Sequence, residues 1–398
     1  GTFTTKSKEI LNKLNEIIDS LPGVIVFFGA SALLFPLSRY VFPHIKSVNI
    51  QATIHLIFGL ILAFILFKSD ILYCLIMAVL TYIGVRFCSV AISNTIAAIS
   101  LLMVYIIVML RPINWALDMT GLTMVMFQKA VSLSFNLADG REKKSGKKLV
   151  RVPWDDLAVD ECPSLFIYFS YVFTPYGSFS NPFLEYKPII FLLNSGNRKT
   201  SNIHPDDHKF AIFRYFSGFL WAGFAYIAMD LISWDTTYDS KWYHSTPIVF
   251  RPFICAFLTT VQVSRYFPAW CMVESGLYEF GLGHSGIGSI EFDHFSSLSM
   301  WDTLTSPSTN EWMRRWNHTT HLFWKNYLLT RLLHLGYGKE FANVAVFVSS
   351  MLWHGLKFNF VGVLPEAFLC MRADDFWNRK FPQTKDTSLF ICALHHLW

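Results

Sequence analysis

Long apolar runs dominate the first quarter of the chain. Residues 21–38, 47–67 and 87–110 contain no charged side chain. A bilayer core of about 30 Å needs about 20 apolar residues in a helix, because each residue adds about 1.5 Å. These runs therefore predict membrane-spanning helices, and the shorter run at 71–85 predicts a tilted or partial span.

Later apolar runs are interrupted by charged residues, Gly or Pro. Irregular backbone persists at membrane depth only where protein or water satisfies its polar groups. We therefore expect these segments to be buried, re-entrant or cavity-lining rather than simple spans. They cover approximately residues 113–138, 164–194, 211–231, 248–272, 316–334 and 341–371.

The two patterns predict an all-α polytopic membrane protein. We expect a single domain over residues 21–398, with scaffold spans at 21–110 and the functional half at 113–371, where charged side chains would be costly against lipid. Residues 1–20 carry apolar side chains at helical spacing and predict an interfacial amphipathic helix. The chain begins at Gly1 and ends in an apolar run, so we expect both ends to be cut or processed.

Composition agrees with a membrane protein and argues against several other classes. Hydrophobic residues make up 53% of the chain and charged residues 15%, whereas soluble domains carry about 25% charged residues. The main basic cluster, at 141–151, has no interleaved aromatic residues, so it predicts a solvated cytosolic loop and no nucleic-acid binding. The seven cysteines form no CxxC pair or Cys/His cluster, so we predict packing roles and no metal site.

Two charged residues of the second half look like an ion pair but are too far apart. Asp118 and Lys129 are separated by eleven residues, or about 16 Å on one straight helix. We predict that each side chain finds another partner or reaches an interface. Residues 291–315 mix acidic, aromatic and Ser/Thr side chains, and predict a loop at the membrane surface.

Asn317 and His354 are the most informative polar residues within apolar sequence. On one helix their 37-residue separation would be about 55 Å, which exceeds the bilayer core. The chain must therefore turn between them, and residues 335–340, LGYGKE, supply two glycines and two charges for that turn. Two antiparallel helices would bring His354 back to the depth of Asn317.

An imidazole and an amide in a cavity of low dielectric constant are suited to acyl transfer. Neutral imidazole takes a proton from a hydroxyl, and an amide orients a substrate or stabilises an acyl carbonyl. Ser350 lies one helical turn before His354, and Gly355 permits close approach of a ligand or another backbone. The alternative for His354 and Asn317 is an interhelical hydrogen bond. We expect interfacial or structural roles for the other nearby histidines, His318, His321 and His334.

These residues resemble the signature of the membrane-bound O-acyltransferase (MBOAT) family. That signature is a W-N-like segment followed, after an apolar hairpin, by an H-G pair. In this chain the two parts are Trp316-Asn317 and His354-Gly355. Within the family the chain is most similar to the Porcupine branch, although FSNPF at 179–183 replaces that branch's usual G-P-W. The similar segments are residues 124–140, 172–186, 316–327 and 349–364.

A second branch, the lysophospholipid acyltransferases, shares several of these features. Its members also have the Q-K, D-G and W-N elements, but they commonly place a P-G-Y-like element after W-H-G. In this chain residues 356–360 read LKFNF instead. This difference favours the Porcupine branch, with the lysophospholipid branch as the alternative. A membrane transporter or a noncatalytic scaffold is the alternative from another class.

The resemblance implies a bundle of roughly 10–11 transmembrane or re-entrant helices around an acyl-transfer tunnel. It implies transfer of palmitoleoyl from palmitoleoyl-CoA, with no other cofactor, to a serine of a Wnt protein at the endoplasmic reticulum membrane. His354 would then be the general base and Asn317 would position the acyl group. We expect Trp316, Tyr327 and Ser350 to contribute to substrate binding, Ser350 by orienting the imidazole.

Overall fold

The computed structural model describes residues 23–111, 118–149, 152–179, 182–197, 204–232, 237–283, 306, 308–355 and 358–380. Within these ranges the chain forms helices and no β-strand, in agreement with the predicted all-α class. The amphipathic helix predicted for residues 1–20 lies outside the described residues. Most of the surface loop predicted for 291–315 also lies outside them.

The described helices are named here in chain order. The first eight are α1 (Gly23–Ala32), α2 (Leu34–Tyr40), α3 (Val48–Phe67), α4 (Ile71–Phe87), α5 (Val90–Met109), α6 (Thr120–Lys144), α7 (Val152–Leu157) and α8 (Leu165–Phe173). The next five are α9 (Tyr186–Leu193), α10 (Pro205–Leu231), α11 (Lys241–Ser245), α12 (Arg251–Ser264) and α13 (Phe267–Glu279). The last five are α14 (Thr309–Arg315), α15 (His318–Trp324), α16 (Thr330–His334), α17 (Lys339–His354) and α18 (Phe358–Lys380).

Four helical stretches of the described chain are long and apolar enough to cross a membrane. They are Gly23–His44, Val48–Phe87, Val90–Met109 and Pro205–Ala228. A fifth arises if the bent pair Ile248–Ser264 and Phe267–Glu279, which meet at 46°, is one span. The apolar runs predicted as spans in the first third are thus helical, and the larger number of spanning or re-entrant helices stays a prediction.

Helix α6 is a central helix although its sequence is only weakly apolar. Fifteen of its 25 residues are buried, among them Lys129. The Lys129 ammonium donates hydrogen bonds to the Tyr171 carbonyl at 2.7 Å and to Ser178 Oγ at 2.6 Å. Asp118 instead accepts a hydrogen bond from the Thr120 backbone N–H at 2.9 Å. The prediction that these two charges find separate partners is confirmed.

Helix α8, which is buried in its second half, connects the scaffold helices α3 and α4. Tyr168 Oη donates to Thr81 Oγ1 at 2.9 Å, and Ser170 Oγ donates to the Ala52 carbonyl at 2.9 Å. Gly59 permits this packing, because a Cβ atom there would lie only 1.7 Å from the Phe173 carbonyl oxygen. The cysteines within the described ranges are free thiols.

The predicted hairpin between Asn317 and His354 is present. Its first arm runs through α15, a π-helical turn at Lys325–Leu329 and α16, and its second arm is α17. The chain reverses after His334 through Gly336, whose φ of +89° lies in the left-handed region. The apolar run predicted at 341–371 is divided, because α17 ends at His354 and α18 begins at Phe358.

Candidate active site

An elongated cavity of about 490 Å³ lies between α5, α6, the first hairpin arm and α17. Phe127 and Phe135 of α6 both line this cavity, which we call the apolar slot. Phe127 packs against Trp324, with ring centroids 6.4 Å apart, and Phe135 stacks on Tyr327 at 5.8 Å. Eight helical residues separate the two phenylalanines, so the slot extends about 12 Å along α6. Its volume lies in the range of small-molecule binding sites.

One end of the slot lies beside His354, and we call it the reacting end. Its wall includes Trp353, whose ring centroid is 4.7 Å from that of His354. Trp353 Nε1 donates to the Met124 carbonyl at 3.0 Å, and the Tyr105 hydroxyl donates to the Trp353 carbonyl. These two bonds attach the last turn of α17 to α6 and α5.

His354 is the last residue of α17, and its side chain is exposed. The helix ends there because Gly355 has a φ of +112°, a conformation that residues with a Cβ rarely adopt. The Tyr105 ring would lie about 3.4 Å from a Cβ at that position. An accessible imidazole at the edge of an apolar slot can reach a substrate hydroxyl, as a general base must.

Asn317 occupies a strained position between α14 and α15. Its φ of +46° and ψ of +52° place it in the left-handed helical region, which Asn tolerates better than most residues. Its side-chain Oδ1 is buried and accepts no hydrogen bond from the described residues. One turn later, Thr320 Oγ1 accepts a hydrogen bond from Gln128 Nε2 at 3.2 Å, which attaches α15 to α6. Strain and an unpaired buried acceptor are features that cluster at functional sites.

The family comparison decides the class of the protein. The model of the MBOAT, membrane-bound O-acyltransferase family matches residues 79–393, which is more than half of the chain. The chain belongs to the MBOAT family. The predicted resemblance at family level is therefore confirmed, and Asn317 and His354 both lie in the matched MBOAT region.

Sequence relatives of this MBOAT chain carry the names of phospholipid enzymes. It is 24% identical over 262 residues to lysophospholipid acyltransferase 6 of Drosophila melanogaster, covering 61% of this chain and 35% of the relative. It is 24% identical over 257 residues to membrane-bound glycerophospholipid O-acyltransferase 1 of Homo sapiens, covering 60% and 50%. The mouse protein of that name is 23% identical over 256 residues, with 60% and 50% covered. The chain thus spans between a third and a half of the length of these relatives.

The two predicted catalytic residues of the MBOAT signature lie at the start of the first hairpin arm and at the end of the second, and neither is among the residues that line the slot. Asn317 precedes Trp324 by two helical turns, and His354 follows Trp353 directly. The rings of Trp324 and Trp353 are 6.2 Å apart, so the two arms of the hairpin meet there. The catalytic roles of Asn317 and His354 stay predictions.

The predicted substrate-binding residues divide into one in the slot wall and two outside it. Tyr327 lines the slot, whereas Trp316 packs against Trp270 at 5.5 Å and Trp312 at 5.7 Å in a separate aromatic cluster. Ser349 lines the slot in place of Ser350. Sequence spacing fixes which residues share a helical face but not which face meets a cavity.

Asn317 and Tyr327 do not lie on one regular α-helix. Asn317 precedes the first residue of α15, and the π-helical turn at Lys325–Leu329 interrupts the first arm of the hairpin. Tyr327 reaches the slot through this irregular turn, a feature often found at functional sites.

The far end of the slot is closed by a group of polar residues, which we call the polar cluster. Tyr327 Oη donates to Asn136 Oδ1 at 2.8 Å and also bonds the Glu185 carboxylate. Asn136 Nδ2 donates to Glu185 Oε2 at 3.1 Å. Burial is the main cause that raises the pKa of Glu185 to about 7, so this carboxyl exchanges its proton near neutral pH. The cluster consists of Asn136, Asp139, Glu185, Tyr327 and Arg331.

Arg331 joins the polar cluster to the aromatic residues around it. Its two terminal nitrogens donate to the two carboxylate oxygens of Asp139 at 3.1 and 2.6 Å. The guanidinium lies over the rings of Phe135 and Trp154, 4.2 and 4.3 Å from their centroids. Bidentate pairing and ring stacking are geometries that arginine provides and lysine does not.

Sequence reasoning missed Tyr105, Trp324 and Trp353 as residues of the site. Counting 100° per residue from Asn317 gives no signal for Trp324, because Asn317 lies before α15 in the left-handed region. Tyr105 had none, because it is 248 residues away from Trp353 in sequence. Within the described ranges, no group of three His, Cys, Asp or Glu side chains is placed to hold a metal ion.

Proposed function

We propose that this chain is a lysophospholipid O-acyltransferase. It transfers an acyl group from acyl-CoA to the free hydroxyl of a lysophospholipid within a membrane. The observation that carries the proposal is the apolar slot, which begins beside His354 and has wall residues that also face outward. Ile99 and Leu102 of α5 are 54% and 40% exposed, and Leu352 of α17 is 49% exposed.

Those outward-facing residues favour an acceptor that comes from the lipid phase. Helix α5 is one of the apolar helices that can cross a membrane, so its exposed side chains contact acyl chains of the bilayer. Ile99 and Leu102 therefore belong both to the slot wall and to the surface that faces the bilayer. A lysophospholipid that enters the slot past these residues keeps its chain in an apolar environment.

The chemistry requires one base and no covalent enzyme intermediate. His354 accepts the proton of the acceptor hydroxyl as that oxygen attacks the thioester carbonyl carbon. Asn317 orients the acyl group beside it. When the tetrahedral intermediate collapses, the carbon–sulfur bond breaks and the CoA thiolate receives the proton from the imidazolium. The products are a diacyl phospholipid and free CoA.

The relatives support the same acceptor class. Their names refer to lysophospholipid and glycerophospholipid acyltransferases, which matches the alternative of the sequence analysis better than its first choice. This chain spans at most half of the length of these relatives. We therefore propose the activity for this chain and do not assign it from the relatives' names alone. We further propose that the protein is a multi-pass component of the endoplasmic reticulum membrane, which colocalisation of a tagged protein with a reticulum marker tests.

Transfer of palmitoleoyl to a Wnt serine is the second candidate. One sequence observation favours it: LKFNF at 356–360 follows Gly355 where lysophospholipid acyltransferases commonly have a P-G-Y-like element. The same slot, base and acyl-CoA would serve this reaction. Only the acceptor would differ.

A competition assay separates the two acceptors. Purified protein in nanodiscs receives labelled palmitoleoyl-CoA with lysophosphatidylcholine, lysophosphatidylserine and a Wnt peptide together, and each product is quantified. We expect labelled phospholipid from the unmodified protein and none from His354→Ala. A labelled peptide without labelled phospholipid would refute the lysophospholipid proposal and keep the acyltransferase class. Solute flux in sealed vesicles without acyl-CoA consumption would instead indicate a transporter.

A further inference from the structure

Trp324 lines the apolar slot, and its indole carries a hydrogen-bond donor that no described residue uses. Trp324 is 8% exposed and lines the slot, and its Nε1 is buried without a hydrogen-bond partner among the described residues. Native structures seldom leave a buried donor unpaired. An indole has only this one polar hydrogen and no acceptor, so the missing partner must be an acceptor atom.

Two neighbouring tryptophans show how the same group behaves when its role is structural. Trp353 Nε1 donates to the Met124 carbonyl at 3.0 Å, and Trp154 Nε1 donates to the Asn326 carbonyl at 3.2 Å. Both indoles thereby connect separate helices. Among these three residues, only Trp324 has an N–H without an acceptor in the described part of the chain.

We propose that Trp324 Nε1–H donates a hydrogen bond to the carbonyl oxygen of the bound acyl thioester. The location supports this assignment, because the Trp324 ring is 6.2 Å from Trp353, which contacts His354 at the reacting end. The thioester carbonyl must lie near His354 for the acceptor hydroxyl to attack it. The proposal rests on the acyl-CoA donor of the proposed function but not on the identity of the acceptor.

The donor gains importance as the reaction proceeds. When the acceptor oxygen bonds to the carbonyl carbon, the carbonyl π electrons move to the carbonyl oxygen, which becomes an oxyanion. The Trp324 N–H then faces a full negative charge in a site lined mainly by apolar side chains. A fixed donor in such surroundings stabilises the transition state more than the ground state. When the carbon–sulfur bond breaks, the carbonyl re-forms and the oxygen returns to a weaker acceptor.

The other polar side chains of the slot are less suitable for this role. Asn94 accepts a hydrogen bond from Ser134 Oγ at 2.6 Å, and Ser134 lies next to Phe135 at the far end. The hydroxyls of Tyr105 and Tyr327 donate to the Trp353 carbonyl and to the polar cluster. Besides Trp324, the slot also contains the Ser349 hydroxyl, which lies one helical turn before Trp353 on α17. We assign the carbonyl to Trp324 because its Nε1 is a buried donor without a partner among the described residues.

Binding of two nonreactive CoA analogues tests the contact directly. One analogue is an acyl-CoA ketone, with a methylene between sulfur and carbonyl, and the other is an alkyl thioether without a carbonyl. We expect the unmodified protein to bind the ketone more tightly than the thioether. In Trp324→Phe, which keeps an aromatic ring but removes the N–H, affinity for the ketone should fall about tenfold while affinity for the thioether stays the same.

Kinetics and stability provide the readouts that a purely structural role would not give. Trp324→Phe should lower kcat by about 10²-fold, as loss of one oxyanion donor does, with little change in the KM for the acceptor. Its unfolding temperature without ligand should decrease less than that of Trp353→Phe, because both variants lose ring volume but Trp353→Phe also loses an internal hydrogen bond. Trp353→Phe is the matched comparison: it leaves the Met124 carbonyl without its partner and should lower the unfolding temperature.

The outcomes distinguish this inference from the proposed function. Equal changes in the affinity of Trp324→Phe for both analogues, or no change for either, would overturn the role of the indole alone. Failure of the unmodified protein to bind both analogues would overturn the role of the indole together with the acyl-CoA donor. Binding with the expected selectivity, combined with acylation of the peptide and not of lysophospholipid, would support the indole contact and refute only the proposed acceptor.

Discussion

The two ends of the apolar slot differ in how their polar groups are used. At the far end, Tyr327, Asn136 and Glu185 bond to one another, and Arg331 pairs with Asp139 through two nitrogens. At the reacting end, Trp324 Nε1 and, at the start of its helix, Asn317 Oδ1 are buried without partners in the described chain. The far end is held mainly by bonds among its own residues, although Arg331 Nε is buried without a hydrogen-bond partner in the described chain. We assign the unpaired donor and acceptor of the reacting end to an incoming molecule.

This difference separates stability from catalysis along one cavity. A buried polar group without a hydrogen-bond partner lowers the stability of the folded state by about 1–3 kcal/mol. Proteins therefore usually satisfy such groups internally, and an unpaired one is expected where a ligand supplies the partner. Changes at the reacting end should therefore reduce turnover more than stability. Changes at the far end should reduce stability more than turnover.

Removal of the imidazole should have the largest effect on activity. His354→Ala should lower the rate of acyl transfer by about 10²–10⁴-fold, because general-base catalysis is lost while the exposed side chain contributes little packing. His334→Ala is a matched control on the same hairpin, since His334 is also exposed and lies near Trp154 outside the slot. Product formation is measured with labelled acyl-CoA, and equal losses in both variants would contradict the assignment of His354.

At the far end, loss of the Arg331 guanidinium should have the largest effect on stability. Arg331→Leu leaves the Asp139 carboxylate buried without its bidentate partner, which should lower the free energy of unfolding by about 3–5 kcal/mol. The double variant Arg331→Leu with Asp139→Leu should recover part of that loss, because no charge remains unpaired. Unfolding is followed by denaturant titration in detergent. If the double variant is less stable than Arg331→Leu, the unpaired Asp139 charge does not cause the loss of stability.

Two substitutions of Asn317 separate its side chain from its backbone conformation. Asn317→Gly keeps access to the left-handed region and removes only the amide, so transfer should slow by about 10²-fold with stability nearly unchanged. Asn317→Ala should show the same slowing and an additional loss of about 1 kcal/mol in the free energy of unfolding, because Ala is strained at positive φ. If the Gly variant keeps full activity, the amide has no catalytic role.

Protonation of Glu185 should produce a smaller, pH-dependent change in stability. Burial raises its pKa from 4.5 to about 7, so the folded protein holds the proton at a higher pH than the unfolded chain does. This difference stabilises the folded state below about pH 4.5, and the stabilisation is lost as the pH rises through about 7. Because the carboxyl is partly accessible, we expect the free energy of unfolding to change by about 2 kcal/mol over this range. Glu185→Gln should remove this slope from unfolding curves recorded between pH 4.5 and 8. An unchanged slope would assign it to another group.

The features that sequence could predict are those that depend on local chain geometry. Apolar runs of sufficient length predicted the helices of the scaffold, and two glycines in LGYGKE predicted the reversal that returns His354 toward the arm of Asn317. The separation of Asp118 from Lys129 followed from the rise of a helix. Each of these required only distances along the chain.

The features that it could not predict depend on long-range contacts and helix rotation. Helix α6 is central although its sequence is weakly apolar, because bonds such as that from Lys129 to the Tyr171 carbonyl satisfy its polar residues. Ser349 and not Ser350 faces the slot, a difference of about 100° that spacing alone does not resolve. Trp316 likewise packs against Trp270 in an aromatic cluster, and the sequence does not indicate that these two residues meet.

Trp353 has a consequence for motion at the catalytic end. The final turn of a helix normally frays, because its last carbonyl groups lack partners within the helix. Here the Trp353 carbonyl is bound by Tyr105 and its indole by Met124, so the terminus that carries His354 is held by two other helices. The imidazole can therefore be exposed to substrate and still be as rigid as a residue in the middle of a helix. Tyr105→Phe, which keeps the ring in the slot wall and removes the hydroxyl, would loosen the helix end that carries the base.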